Sequence, residues 1–338
     1  MYEHNTHLTS AEIASLWTAY MDDSMSQCIL KVMLEHIEDV DIKPIVQSAY
    51  DMSVGHVEQL KRIFEMEDYA IPNGFNEQKD LLNNESWLFS DVFCILYVNN
   101  MTKLGLIAYS GALSMSFRKD LSQYFSHCLS ETINLYNQAN EVAIGKGIST
   151  RPPYMAVPDE IDYVDSKQYI SGLNPFSEKR PLNAIEISYL YSNIMTNAIG
   201  ANLCVAFSQT SPSEDVQKFM LRGNEIAKKH IQTFTSTLLK EDVHIPKAPN
   251  IEISNSTTQP FSDKLMMFHM SQIIAAGIGN YATASAASQR LDISAKYEKA
   301  SLEAAGLAKS GADIMIKYNW LEQPPGIKDR KKLAREKK

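Results

Sequence analysis

The strongest constraint on how this chain folds is that it contains one pattern twice. Leu8, Glu12, Ile13, Leu16, Met21, Asp41, His56, Glu67, Asp68, Ile71 and Pro72 recur without a gap as Leu182, Glu186, Ile187, Leu190, Met195, Asp215, His230, Glu241, Asp242, Ile245 and Pro246. A second, slightly shorter register matches Phe89-Ser90-Asp91, Gly105, Tyr109, Ala112, Ser116, Arg118, Asp120, Glu131 and Pro152-Pro153 to Phe261-Ser262-Asp263, Gly277, Tyr281, Ala284, Ser288, Arg290, Asp292, Glu303 and Pro324-Pro325. Each copy, at roughly 150 residues, is the usual size of a domain with its own core. A polar residue kept in both copies performs the same physical task twice.

Apolar spacing decides what each copy is built from. After Asp41, the residues Ile42, Ile45, Val46, Ala49, Met52, Ser53, His56, Val57, Leu60, Ile63 and Phe64 fall at three-and-four intervals, which is one buried stripe of a long helix. Val216, Phe219, Met220, Gly223, Ile226, Ala227, His230, Ile231, Phe234 and Leu238 repeat it. The spacing predicts helices at about 9–39, 41–67, 90–117 and 119–146, then at about 183–209, 213–240, 262–289 and 291–317. No segment shows the alternation of a strand. Three short connections and one long crossing, Asp68 to Phe89, predict an antiparallel four-helix bundle in each copy. The copies are related by a pseudo-twofold axis or by a simple translation. The expected units are a first bundle at 1–150, a connection at 151–181, a second bundle at 182–327 and a basic tail at 328–338. In the connection, Tyr154, Met155, Tyr163, Tyr169, Ile170 and Phe176 are too apolar for a free linker, so it is expected to wrap the surface of the first bundle.

Composition narrows the function classes. A hydrophobic share of 44% with 21% charged residues belongs to an ordinary globular chain. Cys28, Cys94, Cys128 and Cys204 form no CxxC pair, which favours reduced thiols in a cytoplasmic protein. Met1-Tyr2-Glu3-His4-Asn5 begins no recognisable secretion signal. The longest uncharged stretch, Leu265 to Gln289, fails as a transmembrane segment. His269, Gln272 and Asn280 interrupt it, and its copy carries Lys103 at mid-helix. The net charge of −8 hides a tail, residues 328–338, with seven bases and two acids. The acidic body repels nucleic acid and anionic lipid, whereas the tail offers either a weak contact. A solvated, frayed terminus is the simpler reading.

Helix ends account for many of the twice-kept polar residues. Thr9-x-x-Glu12 and Asn183-x-x-Glu186 are capping boxes. Ser90-Asp91 and Ser262-Asp263 read as an N-cap followed by an acid at the positive helix end. Arg118-x-Asp120 and Arg290-x-Asp292 read as a cap with a local ion pair. Gly105, Tyr109, Ala112 and Ser116 share a helical face, as do their copies around Tyr281, and both tyrosines are candidates for facing a ligand.

Two pairs remain that no helix end explains. His56 and His230 stand in the apolar stripe of each second helix, and Glu131 and Glu303 stand near the middle of each fourth. Antiparallel helices of equal length bring these midpoints to one level, and an unpaired buried polar group costs about 1–3 kcal/mol. A structural His–Glu hydrogen bond is therefore the leading expectation, ahead of a small-ligand pocket and of a bound metal. A di-metal site of the carboxylate-bundle type needs a glutamate from each of two helices and Glu-x-x-His from each of the others. Asp23, His56, His127 and Glu131 are the nearest approach to that set, but Asp23 and His127 become Asn197 and Lys299 in the copy.

Leu8-Thr-Ser-Ala-Glu-Ile-Ala-Ser-Leu-Trp17, Asp23-Ser-Met-Ser26, Arg151-Pro-Pro-Tyr154, Lys179-Arg-Pro-Leu-Asn183, Phe261-Ser-Asp-Lys-Leu-Met-Met-Phe-His269, Gly277-Ile-Gly-Asn-Tyr281 and Trp320-Leu-Glu-Gln-Pro-Pro325 resemble a duplicated domain-of-unknown-function family of Bacillus-type spore formers. The resemblance spans nearly the whole chain. It implies an all-α fold of two tandem ferritin-like antiparallel four-helix bundles, a distant similarity to spore coat protein F and a spore-associated setting. It supplies no established reaction. The function expected is therefore a non-enzymatic bundle protein, tied to sporulation or stress, acting through protein contacts, a homo-oligomer or a small apolar ligand. No cofactor is expected; the alternative is a divergent metal-dependent oxidoreductase. Removing residues 328–338 is expected to leave the thermal melting temperature unchanged, because nothing in the tail can enter a core; a clear drop in a calorimetric scan would show that it docks.

Overall fold

A computed structural model describes residues 7–82, 87–149, 151–174, 179–246 and 251–336, so Met1–Asn5, Pro175, Phe176 and the last two lysines of the tail lie outside the described residues. The first copy forms α1 (Ser10–His36), α2 (Ile42–Met66), the short α3 (Glu77–Asp80), α4 (Asp91–Ser114) and α5 (Lys119–Gly145). The second forms α6 (Ala184–Thr210), α7 (Glu214–Leu239), α8 (Asp263–Ala287) and α9 (Leu291–Lys317), and the tail adds α10 (Arg330–Glu336). Among the described residues there is no β-strand, only isolated bridges. The fold is all-α and duplicated, with helix ends close to those expected from the apolar spacing. One helix among the described residues, α4, is long and apolar enough to cross a membrane, and half of that apolar window is buried against the rest of the chain.

Local chemistry starts these helices as the repeats foretold, and left-handed residues that the sequence does not single out as caps stop them. Thr9 and Asn183 close their capping boxes, and Ser90 and Ser262 accept from Phe93 N and Leu265 N. The twice-kept Asp68 and Asp242 hold φ values of 48° and 56°, the left-handed conformation that ends a helix. Gly147 and Asn319, also equivalent, do the same after α5 and α9 with φ values of 67° and 58°.

Glu12 and Glu186 do more than cap. One carboxylate oxygen closes the capping box, while Oε1 of Glu12 accepts from Phe117 N and Arg118 N at 3.1 and 2.9 Å, across the α4–α5 corner. Oε1 of Glu186 accepts from Gln289 N and Arg290 N at 3.2 and 2.9 Å at the α8–α9 corner. Arg118 and Arg290 hold the N-cap positions without a side-chain cap bond, while the expected local ion pairs to Asp120 and Asp292 do form. Backbone amides at these corners are satisfied from another helix, and Arg118 and Arg290 instead bind Glu67 and Glu241 at 2.7 Å, besides Asp120 and Asp292. Burial opposes ionisation of Glu12 and Glu186, and the surrounding donors prevail, so both carboxyls sit below their ordinary range.

The copies are related by a pseudo-twofold axis through their crossing segments. Asp80, Leu81 and Leu82 are equivalent to Glu252, Ile253 and Ser254, and Leu88, Phe89 and Ser90 to Pro260, Phe261 and Ser262. Leu81 bridges Phe261 while Phe89 bridges Ile253. Ser262 N donates to Asp80 O at 2.9 Å and Ser90 N to Glu252 O at 3.2 Å; Leu82 N donates to Pro260 O and Ser254 N to Leu88 O, each at 3.0 Å. Each bond exchanges with its twin under the twofold, which a translation cannot produce. One apolar cluster runs through this seam from the inner half of the first bundle into the second, and a smaller one fills the far end of the first bundle.

Residues 151–166 do not wrap the first bundle: Tyr154 and Tyr163 are 90% and 84% exposed. The end of the connection docks on the second bundle instead, where the Arg180 guanidinium stacks on Tyr169 and binds Glu186, and Lys179 pairs with Asp292 at 3.1 Å. Charge explains the change of side, since buried carboxylates of the second copy capture the bases that precede α6. Glu186→Gln leaves that shape intact but strands Arg180, and should cost about 1.5–3 kcal/mol in urea denaturation at pH 7. A depressed carboxyl contributes stability above its unfolded pKa and loses it as pH falls through the folded value, so the variant and the parent should converge in acid.

Candidate functional site

Four helices of the first bundle place a polar chain in an apolar interior. His56 of α2 is 2% exposed; its Nδ1 lies 3.1 Å from the Tyr109 hydroxyl of α4 and 3.4 Å from Asp23 Oδ1 of α1. The Tyr109 hydroxyl donates to Asp23 at 2.9–3.0 Å. On the other side His56 Nε2 lies 3.0 Å from Glu131 Oε2 of α5, which His127 Nε2 approaches at 3.3 Å from the surface. In the second bundle His230 Nε2 meets Glu303 Oε2 at 3.2 Å, and His230 Nδ1 meets the Tyr281 hydroxyl at 2.9 Å. Asn197 stands where Asp23 does, donating to Tyr281 at 2.8 Å, and Lys229 Nζ binds Glu303 Oε1 at 2.6 Å.

The exchange of Asp23 for Asn197, with Cys128 beside the first ring and Lys229 near the second, sets the two histidines on opposite sides of their ordinary pKa. Burial disfavours a charge on His56, but the Asp23 carboxylate overcomes it and carries the imidazole up to about 11. Both ring nitrogens then donate, one toward Tyr109 and Asp23 and the other to Glu131. Around His230 burial wins, aided by the Lys229 charge against the pull of Glu303, and its pKa falls below the ordinary value. A neutral ring with its proton on Nε2 donates to Glu303 and accepts the Tyr281 proton at Nδ1. The Tyr281 hydroxyl also lies 3.0 Å from Asn197 Oδ1, a second acceptor for its proton.

Asp23 is already turned to Tyr109 and His56, and His56 Nε2 to Glu131. His127 reaches the chain only at its exposed end, through Glu131. The set Asp23, His56, His127 and Glu131 therefore does not fit a resident metal ion as it is arranged. Among the described residues no group of three or more His, Cys, Asp or Glu side chains is placed to hold one. The four cysteines are free and buried.

A site that no repeated motif announced lies beside this chain. The hydroxyl of Tyr97 on α4 meets Nε2 of His269 on α8 at 3.1 Å, with the rings edge-on. These are equivalent positions, so the pair marks where the two copies meet on the pseudo-twofold axis. It forms part of the wall of a cavity of about 630 Å³ between α1, α4 and α8, whose apolar lining includes Met25, Met52, Leu104, Ile107 and Ala276. Asp22 of α1 also lines it. Helices α6 and α8 of the second copy lie close together, whereas their equivalents α1 and α4 are splayed, and the corresponding void beside His230 and Tyr281 is only about 60 Å³. Sequence reasoning passed over Asp22, Tyr97 and His269 because it followed what the copies share; the usable signal was a polar residue on an apolar helix whose twin differs, Asp22 against Thr196 and Tyr97 against His269.

The geometry defines a duplicated helical protein with one enlarged cavity at the junction of its copies. The chain belongs to the DUF3231 family, proteins of unknown function, whose model matches residues 1–161 and again 170–333. Among solved structures it is similar to a Bacillus halodurans C-125 protein described provisionally as a spore coat protein, at 17% identity and a TM-score of 0.41, over 44% of this chain and 98% of that one. No curated protein matches the chain.

Asp23→Asn should bring the titration of His56 down by about 1–3 pH units, followed through its ring resonances by NMR, while His230 stays unchanged. The raised pKa contributes stability that is complete below the unfolded value near 6.5 and disappears as pH climbs through the folded one, so the variant should lose most stability in mild acid.

Proposed function

We propose that this is a non-enzymatic helical-bundle protein that binds one small, largely apolar molecule in the cavity between α1, α4 and α8. The observation that carries the reading is the cavity itself. Its volume of about 630 Å³ falls in the range of roughly 300–1,000 Å³ typical of small-ligand sites, and a few polar groups stand in an otherwise apolar lining. A duplicated chain that had no use for the space would be expected to close it, since voids in a core cost stability. The second copy does close it. The His56 and His230 chains act in this reading as fixed struts that hold their helices at one spacing while α1 and α4 diverge. The cytoplasmic setting rests on the unpaired cysteines, and the spore-associated one, in sporulation or stress, on the family resemblance. No observation favours the metal-dependent oxidoreductase alternative.

Gly111 and Gly279 line the cavity, and a side chain added at either meets no atom within 4 Å. N-phenyl-1-naphthylamine, a neutral apolar fluorophore, should bind the parent protein saturably with one site per chain. Gly279→Phe and Gly111→Phe should each weaken it by at least about tenfold, as expected when a ring occupies the ligand's space. Absence of saturable binding, or equal binding by both variants, would overturn the reading.

A further inference from the structure

The cavity is not uniformly greasy. Asp22 Oδ1 and His269 Nδ1 are buried without a hydrogen-bond partner, and both residues line it. His269 is 2% exposed and Tyr97 3% exposed, so the polar wall is sealed into the interior while the cavity opens past Ile107, which is 64% exposed. Buried polar atoms left unsatisfied are uncommon in folded proteins, and two beside one cavity point to a group that completes them.

The chemistry of that group follows from the charges. Asp22 has the Asp23 carboxylate as its neighbour in sequence and no cation beside it among its recorded contacts. His269 cannot supply one: burial drives its pKa down to about 3, so the ring is neutral. Tyr97 is held protonated by burial and by the nearby Asp22. Burial first, and Asp23 second, lift Asp22 to about 7, and a carboxyl in that state accepts from a donor whether ionised or not. An anionic head would meet the Asp22 carboxyl, which has no base beside it to offset the repulsion.

We propose that the cavity takes a single-chain amphiphile whose head is a hydrogen-bond donor without negative charge, an alcohol or an amine, with the head at Asp22 and His269 and the hydrocarbon along Leu104, Ile107 and Ala276. This rests on the cavity-binding reading above and adds the identity of the head. Burial per methylene sets the chain-length response, an increase of about fourfold in affinity for each added CH₂ until the space is filled. The polar wall sets the head-group response.

The test displaces N-phenyl-1-naphthylamine from the full chain with decanol, decylamine and decanoate, each below its micellar concentration. Decanol and decylamine should displace the probe at concentrations at least about tenfold lower than decanoate, because a like charge in a desolvated site is strongly disfavoured. Asp22→Asn, which changes a half-buried side chain whose Oδ1 has no hydrogen-bond partner and so should not unfold the chain, should shrink that gap to below about threefold. Tightest binding by decylamine assigns the head to an ammonium on ionised Asp22; tightest binding by decanol assigns it to a hydroxyl shared by Asp22 and His269. Equal or tighter binding of decanoate to the parent, or an Asp22→Asn variant with the gap intact, overturns the head-group assignment while leaving cavity binding in place. Failure of all three to displace a bound probe overturns it as well, and failure of the probe itself to bind removes both readings.

Discussion

The seam between the crossing segments is the constraint on which the rest of this structure depends. Backbone amides at Leu82, Ser90, Ser254 and Ser262 find their acceptors only in the other copy. Pairing them there ties the two crossing segments together. Satisfying them in exchanged pairs fixes the copies about a twofold axis, brings Tyr97 against its equivalent His269, and runs one apolar cluster through both bundles. A shift along the seam would break every pair at once. Gly74 is locked into the same junction: its φ of 51° and the approach of Ser24 Oγ within 2.7 Å of where a Cβ would stand admit no side chain, and Lys264 Nζ binds its carbonyl at 2.9 Å.

Against this symmetric frame the copies have diverged where burial makes a single charge decisive. Asp23 and Asn197 occupy the same place beside a tyrosine and a histidine, yet one produces a cation and the other a neutral ring. The buried Asp23 carboxylate outweighs desolvation at His56, whereas at His230 the partly exposed Glu303, opposed by Lys229, does not. Both arrangements satisfy the tyrosine, so both are compatible with the same helix packing. Duplication here preserved geometry and let the electrostatics drift apart.

The cavity belongs to the same asymmetry. Helices α6 and α8 close on each other, while α1 and α4 separate and leave room bounded by the partner copy's α8. A single bundle could not form this site, because one wall and one of the unpaired polar atoms come from the second copy. Its polar wall sits at the junction since that is where equivalent positions, Tyr97 and His269, face each other and cannot both be replaced by one well-packed residue pair. The class of ligand therefore follows from how the repeats meet as much as from what either contains.

Much of this protein was legible before any coordinates. The three-and-four apolar spacing requires helices because only a period near 3.6 gathers those residues on one face, and the doubled pattern requires two similar units. Capping chemistry at Thr9, Ser90, Asn183 and Ser262 is local, so the sequence alone located those helix starts. Equal helix lengths brought His56 level with Glu131, and His230 with Glu303, by simple geometry. What contacts distant in sequence decide was not legible: that Glu12 and Glu186 would satisfy amides a hundred residues away, that residues before α6 would dock on the second bundle, and that the axis would be twofold. The protonation of His56 and His230 belongs to this second group, because it depends on which residue of another helix faces each ring. So does the cavity, which exists because two helices splay where their equivalents close, a difference in packing that no local pattern encodes.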